Sequence, residues 1–403
     1  MIKGQIICGL DIGTNTVKVL VALKRPEDKE LEIIGQAEAP NSGMRKGVVI
    51  KSNEVSQNIR QALDFCRESR QEGREKKATR VVINIGGSHL AFLPSRGLAS
   101  VSRADQKISE IDVERALQAS RTISLPANQE IIDVFPQEFI IDGQAGIKEV
   151  EGLRGIRLEA KTLCLTVFSP YLKNLTEAVL GANVEVEDVL PSILASAQAV
   201  LDPKEKELGV AVVEIGAGTT GLAVFEEGSL IHATIFPLGS NDITNDIAIV
   251  LKIDIEDAEK IKKEFSGFGL RKVSLSRDKK RSGQSFSQKT LTRVIEARTK
   301  EIFGEVNKEL KRINKNKLPG GIVLTGGGAK MVKIVDLAKK EMKLPGRLGL
   351  PRGFAPGLDD SAWATVAGLV LEGAKALEDE QGLSLSEKGI LKKIKGIFKI
   401  FLP

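Results

Sequence analysis

Hydrophobic residues follow two patterns along this chain: short apolar runs rich in Val and Ile, and longer stretches with a helical period. The short runs, bounded by Gly, Pro or Asp, predict buried strands, and apolar positions recurring every three to four residues predict amphipathic helices. Because the two alternate, the chain is predicted to be an α/β protein. The predicted strands lie at 5–24 (a pair), 31–37, 81–85, 131–136, 139–141, 163–168, 184–190, 210–213, 222–225, 230–235 and 322–325, and the predicted helices at 54–72, 113–120, 170–180, 193–201, 239–251 (after a short loop), 290–312, 331–342 and 362–377.

Two stretches half a chain apart repeat one design, in which a strand, a turn of small residues and a returning strand follow each other. The first spans residues 6–20 and the second residues 208–228. A shift of 203 positions places Asp11 on Glu214, Gly13 on Gly216 and Thr16 on Thr219. A repeat of this kind predicts an internal duplication that produces two facing hairpins.

The two turns have the composition of phosphate-binding loops. Glycines let the backbone approach an anion and turn its amides towards it, and threonine hydroxyls add donors. Since a carboxylate repels phosphate, Asp11 and Glu214 are expected to act through Mg²⁺ or its water shell. A third glycine turn, Gly326 to Gly328, follows a strand and precedes a predicted helix, whose N-terminus favours anions. The sequence lacks the G-x-x-x-x-G-K-[ST] pattern, which excludes a P-loop.

Composition narrows the class of protein. The chain has 403 residues, 42% hydrophobic and 28% charged, which predicts more than one ordinary globular domain. A single Trp and a single Tyr argue against a nucleic-acid partner bound by base stacking. Three scattered cysteines suit a reducing cytoplasm, and His89 and His232, the only histidines, argue against a histidine-based metal cluster or triad. No run reaches transmembrane length, and the first strand leaves no room for a signal peptide.

Residues 258–317 differ electrostatically from the rest of the chain. They hold 18 Lys and Arg against 7 Asp and Glu, a net charge of +11, while the whole chain carries +6 and the remainder therefore −5. A polar loop at 277–288 precedes a long helix within this segment. The surplus indicates either a solvated face or a surface for an acidic partner.

The last 17 residues predict an amphipathic helix that lies on a membrane surface. Ser384 to Glu387 has the form of a capping box, and the last 17 residues contain five lysines and one glutamate. The segment is too short and too charged to span a bilayer. The alternative is a terminal helix that docks on the globular body. The apolar face consists of Ile390, Leu391, Ile394, Ile397, Phe398 and Phe401.

The arrangement of two hairpins, an inserted module, a basic segment and the TGGGA turn resembles the actin-like ATPase superfamily. Four phrases, at 155–160, 207–213, 243–248 and 258–262, narrow the resemblance to the FtsA family of bacterial division proteins over nearly the whole chain. The resemblance implies a two-lobed actin-like ATPase fold, made of duplicated ribonuclease H-like domains with an inserted small α+β subdomain of SHS2 type. The implied boundaries are 1–81, 162–203 and 353–378 for subdomain 1A, 82–161 for the inserted 1C, 204–257 and 318–352 for 2A, 258–317 for the basic 2B, 379–386 for a linker and 387–403 for the membrane-targeting helix.

The resemblance also implies a function: an ATP-binding, polymerising adaptor that anchors FtsZ filaments to the cytoplasmic face of the membrane at the division site and contacts other division proteins. ATP and Mg²⁺ are the implied cofactors. The tail of FtsZ would bind the basic subdomain, at Arg293 and Lys300. The implied nucleotide ligands are Gly13, Thr14, Asn15, Thr16 and Lys18 in the first loop, Gly216, Gly218, Thr219 and Thr220 in the second, Glu259 and Lys262 at the ribose and adenine, and Gly326, Gly327 and Gly328 at the adenosine, with Asp11 and Glu214 near the metal.

The chain departs from the family pattern at four positions. The second loop begins with Glu214 in place of Asp, the following glycine is Ala217, and Gly221 stands where an Asp is usual. Ser192 falls where related filament ATPases carry a Glu or Gln that orients water. We therefore expect nucleotide binding with slow or absent hydrolysis.

Two other functions fit parts of the sequence. A pilus-assembly scaffold of the PilM type shares the insert but is expected to lack a terminal membrane helix. A small-molecule kinase uses the same hairpins, yet it needs a catalytic carboxylate that the sequence does not indicate. A chaperone is excluded, because only about 25 residues follow Leu377.

Overall fold

The computed structural model describes residues 4–68, 79–265 and 287–382, and within these ranges it is a layered α/β protein. The strands are β1 (Gln5–Ile12), β2 (Thr16–Lys24), β3 (Leu31–Pro40), β4 (Met44–Arg45), β5 (Val48–Val49), β6 (Arg80–Ile85), β7 (Ala91–Ser100), β8 (Gln129–Ile141), β9 (Gln144–Ile147), β10 (Arg157–Phe168), β11 (Glu185–Pro191), β12 (Val210–Ile215), β13 (Thr220–Glu226), β14 (Ser229–Phe236), β15 (Ile322–Thr325), β16 (Gly346–Leu348) and β17 (Phe354–Ala355). The α-helices are α1 (Ser52–Glu68), α2 (Glu110–Ser120), α3 (Ser169–Leu180), α4 (Ser192–Val200), α5 (Pro203–Leu208), α6 (Ser240–Leu251), α7 (Ile255–Lys263), α8 (Gln288–Arg312), α9 (Ile334–Met342) and α10 (Ala364–Gly382).

Two of the sheets have the same topology. The sheet of the first lobe has the order β11-β6-β1-β2-β3-β17, and the sheet of the second lobe has the order β16-β15-β12-β13-β14. In each sheet three consecutive strands pair antiparallel, β1-β2-β3 in the first and β12-β13-β14 in the second. On the other side of the first of these strands lie two further strands that run parallel to it, β6 and β11 in the first sheet and β15 and β16 in the second. The predicted duplication is therefore present in the fold as well as in the two turns.

Helices α4 and α10 connect the two lobes. α10 packs on β1, β2 and β6 of the first lobe, while α4 packs on α10 and on β12 and β13 of the second. A Cβ atom on Gly368 would lie 1.7 Å from the carbonyl oxygen of Ala195, so the two helices meet backbone to backbone. Only glycine permits this approach at that position. The contact of α4 with α10 joins the two lobes.

The inserted subdomain is a separate small layer with its own core. Its sheet has the order β7-β10-β8-β9, and α2 covers β7, where a Cβ on Gly97 would come within 1.9 Å of the carbonyl oxygen of Ala116. The chain enters the inserted subdomain after β6 through Gly86 and Gly87, and it leaves along β10 into α3. Gly87 adopts φ +104°. The buried residues of this core are Ala99, Ile108, Ala116, Phe139, Ile141, Val150, Leu158 and Ala160.

Several predicted elements differ from those observed. The strands predicted at 131–136 and 139–141 are one strand, β8, interrupted by a bulge. The core strand predicted at 163–168 is the end of β10. It pairs with β7 and β8 of the inserted sheet, while Leu163, Leu165 and Val167 lie in the hydrophobic core of the first lobe. The helix predicted at 331–342 begins only at Ile334, because a 3-10 helix, Gly327–Lys330, follows β15 directly.

The first turn of α2 shows that Asp can replace Glu in a capping box. The Asp112 carboxylate is fully buried and accepts hydrogen bonds from the backbone N–H of Ser109 (3.0 Å) and from its hydroxyl (2.7 Å). It also accepts from the N–H of Ser102 at 3.0 Å. Burial opposes ionisation of Asp112, but these donors outweigh it and lower its pKa from 3.8 to about 2.

Three predicted features lie wholly or partly outside the described residues. They are the amphipathic helix at 387–403, the second half of the linker predicted at 379–386, and most of the polar loop at 277–288. The first half of that predicted linker is helical, because α10 continues to Gly382. Among the helices that are described, none is both long enough and apolar enough to cross a bilayer.

Candidate functional site

The two hairpin turns have matching backbone geometry. In the first, the N–H of Gly13 donates to the carbonyl oxygen of Thr16 at 2.9 Å, and in the second, the N–H of Gly216 donates to that of Thr219 at 2.8 Å. The turns therefore expose their intervening amides in the same way, which is the arrangement that binds an anion.

The turns approach each other across the cleft between the lobes. The side-chain amides of Asn15 and Asn241 exchange two hydrogen bonds of 2.8 Å each. A Cβ on Gly218 would lie 2.9 Å from Thr14 Oγ1 and 3.0 Å from the Cα of Lys46. Glycine at 218 is thus required by the other lobe, and the predicted residues of both loops lie around one cleft.

Asp11 is held at the end of β1 by a side chain that sequence analysis missed. Asn84, at the carboxyl end of β6, donates from Nδ2 to Asp11 Oδ1 (2.7 Å) and to Ser192 Oγ (3.0 Å), and it accepts the N–H of Ile12 at 2.7 Å. Burial raises the pKa of Asp11, while the charge of Lys18 and the amide of Asn84 act against that rise. Asn84 therefore fixes one carboxylate oxygen of Asp11.

Lys18 lies beside Asp11 because the two residues are directly paired in the β1–β2 register. Lys18 is buried, with 8% of the residue exposed, and its ammonium donates to Thr16 Oγ1 at 2.8 Å and lies 3.9 Å from a carboxylate oxygen of Glu38. The corresponding position of the second lobe is Gly221, which pairs with Glu214. A Cβ there would be 2.8 Å from the Cβ of Ile193, so α4 leaves no room for a second side chain.

Glu214 occupies in β12 the position that Asp11 occupies in β1, and two hydroxyl groups hold it. Its Oε1 accepts from Thr365 Oγ1 (2.5 Å) and Ser196 Oγ (3.0 Å). Burial raises its pKa from 4.5 to about 7, the hydroxyl of Thr365 opposes the rise, and the negative charge of Asp11 adds to it. The two carboxylates are thus close enough to influence each other, with Lys18 as a positive neighbour of both.

These residues fit a Mg²⁺ ion bound together with phosphate. Mg²⁺ is usually held by one or two carboxylates, and substrate phosphates and water supply the remaining ligands. Asp11 and Glu214 supply two carboxylates whose ionised forms are disfavoured by burial, and a cation between them would favour those forms. The described residues contain no cluster of three or more acidic, Cys or His ligands, so a cage built from protein side chains alone is not present there.

The glycine turn after β15 lies against the end of β12. A Cβ on Gly328 would lie 2.4 Å from Cγ2 of Ile215, and Gly326 adopts φ +85° with its N–H bonded to the carbonyl oxygen of Ser361. A Cβ on Gly327, in contrast, would approach nothing closer than 4.0 Å. Gly327 is therefore the member of the turn with free space for a ligand.

Glu259 and Lys262 lie next to the first turn of α6. Lys262 Nζ is 8% exposed and has three partners: Glu259 Oε2 (2.7 Å), Thr244 Oγ1 (2.8 Å) and the carbonyl oxygen of Ser240 (3.1 Å). Ser240 in turn follows the second loop, and its N–H donates to the carbonyl oxygen of Gly216. The pair is thus joined to the second loop, and its contact with ribose and adenine stays a prediction.

Two of the predicted site residues are already engaged. Thr220 is fully buried and donates from its hydroxyl to the carbonyl oxygen of Leu238 at 2.8 Å, so it supports the second turn from beneath. Ser192, which stands where related filament ATPases carry a Glu or Gln, has the amide of Asn84 beside it, and Asn84 Nδ2 donates to its hydroxyl at 3.0 Å. That hydroxyl also donates to the carbonyl oxygen of Ile85 at 3.3 Å, which leaves it little freedom to orient water.

The basic helix α8 presents its two predicted partner-binding residues differently. Lys300 lies 2.9 Å from Glu296 and 3.7 Å from Glu341, so its charge is largely compensated. Arg293 is exposed and takes part in none of the ion pairs formed within the described ranges. Arg293 is therefore the more available cation for an acidic partner.

Sequence analysis missed Asn84, Ser196, Thr365 and Asn241. Asn84 had a signal, since it is a polar residue inside the apolar strand Val-Val-Ile-Asn-Ile. The other three lie on α4, α10 and α6, and nothing in their local sequence indicates that they meet a carboxylate or the opposite lobe.

Known proteins match this chain over nearly its whole length. A model of the cell division protein FtsA matches residues 211–368, and a model of the SHS2 domain inserted in FtsA matches residues 87–166. The cell division protein FtsA of Pseudomonas aeruginosa is 34% identical over 95% of this chain and 93% of its own length. The FtsA proteins of Bacillus subtilis and Escherichia coli are 33% and 31% identical, each over 92% of this chain and over 84% and 91% of their own lengths.

Solved structures show the same fold at lower identity. The PilM–PilN type IV pilus biogenesis complex contains a chain with a TM-score of 0.66 and 17% identity, covering 91% of this chain and 98% of that one. MreB5 of Spiroplasma citri bound to AMPPNP has a TM-score of 0.52 and 15% identity, covering 94% and 99%. The fold is therefore the two-lobed actin-like ATPase fold with an SHS2 insertion.

Proposed function

Since this chain belongs to the FtsA family of cell division proteins, we propose that it binds Mg²⁺-ATP in the cleft between its lobes and anchors FtsZ filaments to the cytoplasmic membrane. Self-association into filaments and contacts with other division proteins complete the proposed role. The identity to FtsA proteins, 31–34% over nearly the full chain, favours this function over that of a pilus scaffold, for which the likeness is one of fold.

The observation that carries the nucleotide site is the symmetry of the two turns around a pair of carboxylates, of which Asp11 is buried and Glu214 half-buried. Each turn has the same N–H to carbonyl bond between residues three positions apart, and each follows a strand whose second-to-last residue is acidic. Two such turns enclose a polyphosphate from both sides, as the lobes of the fold require. Mg²⁺ when bound would neutralise charge between the phosphates and the carboxylates of Asp11 and Glu214.

The residues of this chain have separate tasks in that proposal. The exposed amides of the first and second turns bind phosphate oxygens, and Lys18 adds a positive charge beside Asp11. Asn84, Ser196 and Thr365 hold the two carboxylates in place. Gly327 leaves space for the flat base, and Glu259 with Lys262 lies beside the second loop, where a ribose would be reached.

The nucleotide site is tested by calorimetry with Gly13→Asp. The new carboxylate would face the phosphates, and its Cβ would already lie 2.9 Å from the carbonyl oxygen of Thr16, so Mg²⁺-ATP binding should be lost. Gly146→Asp is a matched control, because nothing lies within 4 Å of a Cβ at that turn of the inserted sheet and Asp tolerates its φ of +83°. Unchanged affinity in Gly13→Asp would remove the first loop from the site.

The proposed FtsZ surface is the exposed side of α8, where Arg293 would attract the acidic tail of FtsZ. The apolar side of the helix, which includes Leu291, Ile295 and Phe303, is buried in the core of the second lobe and is not available to the tail. This attraction between exposed charges should weaken as salt is added. A tail peptide that binds residues 1–257 as strongly as the whole chain would exclude α8 as the surface.

The proposed membrane anchor is the sequence at 387–403. Its five lysines would bind an anionic surface, each contributing about 1 kcal/mol, and its apolar face would enter the interface. Co-sedimentation with anionic vesicles, with and without residues 387–403 and with and without FtsZ, tests both halves of the adaptor function. If the truncated protein carries FtsZ to vesicles as well as the full chain does, the anchor lies elsewhere.

A further inference from the structure

The inserted subdomain does not contact only the first lobe, from which it arises. Strand β14 has β13 as its one neighbour in the second sheet, and its other edge lies against β7, β8 and β10 of the insert. The insert therefore meets both lobes.

Two β-bulges face each other at this contact. The β8–β10 register passes from Glu138 to Pro136 and skips Gln137. The β13–β14 register passes from His232 to Leu230 and skips Ile231. A bulge leaves one residue outside the ladder and redirects its side chain and backbone groups, so each strand presents unpaired groups to the other.

Those groups pair across the contact. Gln137 Nε2 donates to the carbonyl oxygens of Leu230 (3.1 Å) and Ile231 (3.0 Å). In the opposite direction, Ser229 Oγ donates to the carbonyl oxygen of Gln137 at 3.2 Å. The carbonyl oxygens of Leu230 and Ile231 thus receive the Gln137 amide only while the insert lies against the second lobe.

Lys148, at the end of β9, reinforces the contact with its ammonium. It donates to the carbonyl oxygen of Gln137 (2.8 Å) and to Ser229 Oγ (3.1 Å), and it lies 3.4 Å from a carboxylate oxygen of Glu227. Glu227 and Ser229 belong to the tight turn between β13 and β14. One cation therefore joins both bulged strands.

The other end of β14 is held by the first lobe. Lys46, between β4 and β5, donates to the carbonyl oxygen of Pro237 at 2.8 Å, directly beyond β14. Its neighbour Gly47 packs on the entrance to the insert, since a Cβ there would lie 2.7 Å from the N of Gly87. Strand β14 is thus contacted at its start by the insert and at its end by the turn that touches the base of the insert.

We propose that Gln137 and Lys148 form a latch between the inserted subdomain and the second lobe, so that opening of the cleft either breaks the latch or moves the insert. The orientation of the insert then follows the separation of the lobes. Separating the lobes without moving the insert would break together the bonds of Gln137 to Leu230 and Ile231 and the bonds of Ser229 to Gln137 and Lys148, which makes the contact a two-position element.

Site-directed crosslinking measures the latch in the full-length protein. The double variant Lys148→Cys with Glu227→Cys loses the bonds of Lys148 but keeps those of Gln137 to Leu230 and Ile231, which should hold the contact. It is treated with a short bismaleimide, and the three native cysteines are buried and should react slowly. The matched control is Glu138→Cys with Lys161→Cys, an ion pair of 3.0 Å within the inserted sheet. We expect both pairs to crosslink at similar rates, and a first pair that fails to crosslink would overturn the proposal.

Opening the cleft should slow the first pair and leave the control unchanged. Gly218→Ala inserts a methyl group against Thr14 and Lys46 of the other lobe, and Lys46→Ala removes the bond to Pro237. In each background the rate should fall by about threefold or more, because an intramolecular reaction depends on the local concentration of its partner. Equal rates in the parent and in both backgrounds would overturn the coupling.

A third experiment measures the effect of the latch on the cleft, and it rests on the proposed nucleotide binding. Closing the 148–227 crosslink should slow release of a fluorescent ATP analogue by about tenfold, since the lobes must separate to release it. Calorimetry on the uncrosslinked protein shows separately whether the nucleotide binds at all. Rapid release from crosslinked protein that does bind nucleotide would overturn the latch, while absent binding in the parent would overturn the proposed function alone.

Discussion

Replacing His89 should change the pH dependence of stability in a defined direction. The ring lies between β6 and β7, where the insert leaves the first lobe, 4.9 Å from the ring of Tyr171 in an edge-to-face arrangement. Within the described residues, both ring nitrogens are buried and neither has a hydrogen-bond partner. Burial lowers the pKa of His89 from 6.5 to about 4, because the charged ring would be poorly solvated there.

The sign follows from that shift. Below pH 6.5 the unfolded chain binds a proton at His89, whereas the folded chain does so only near pH 4. The free energy of unfolding is therefore unaffected by His89 above pH 6.5, and it decreases as the pH falls from 6.5 towards 4. A shift of this size corresponds to about 3 kcal/mol in total, and about 2 kcal/mol of it is lost by about pH 5. His89→Phe removes the titrating group and should remove this loss.

The assay is urea unfolding of the parent and of His89→Phe at pH 7.5 and pH 5. The larger ring can alter packing, but a packing change affects both pH values alike and cancels in the difference, and His89→Leu supplies a second apolar replacement. His232→Phe is the control at the other histidine, which lies 2.7 Å from Glu309 and should lose that contact at both pH values. If the parent and both His89 variants lose equal stability between the two pH values, the reasoning is refuted.

Four further outcomes are expected. Asn84→Ala should lower stability by about 1–3 kcal/mol and weaken Mg²⁺-ATP binding in calorimetry, since Asp11 Oδ1 and the N–H of Ile12 lose their partner; unchanged stability would contradict the buried network. Steady-state ATP turnover should stay far below about 10 per second, because the Ser192 hydroxyl is already bonded, and a rate near that value in a phosphate-release assay would disprove it. Arg293→Glu should weaken FtsZ-tail binding more than Lys300→Glu in fluorescence anisotropy, since Lys300 is paired with Glu296 and Glu341, and equal effects would argue against this ranking. Phe398→Glu with Phe401→Glu should release the protein from anionic vesicles while ATP still binds, and continued pelleting would show that the segment is not the anchor.

The sequence by itself determined the duplicated hairpins and the positions of Asp11, Glu214 and the three glycine turns. These features are local, because an apolar run, a glycine turn and a returning apolar run specify a hairpin without help from distant residues. It also indicated the insert and the α/β class, both of which the structure and the comparisons confirm. It did not indicate that the strand at 163–168 pairs with the inserted sheet, because an apolar run carries no information about which sheet it joins.

The tertiary structure alone decided which side chains meet. Thr365 reaches Glu214 from 151 positions away and Asn241 reaches Asn15 from 226, and neither has a local signal. The engagement of Ser192 by Asn84, the absence of space at Gly221, and the paired bulges at Gln137 and Ile231 arise in the same way. Local patterns fix the type of an element and its buried face, whereas contacts between distant elements depend on how sheets and helices pack against each other.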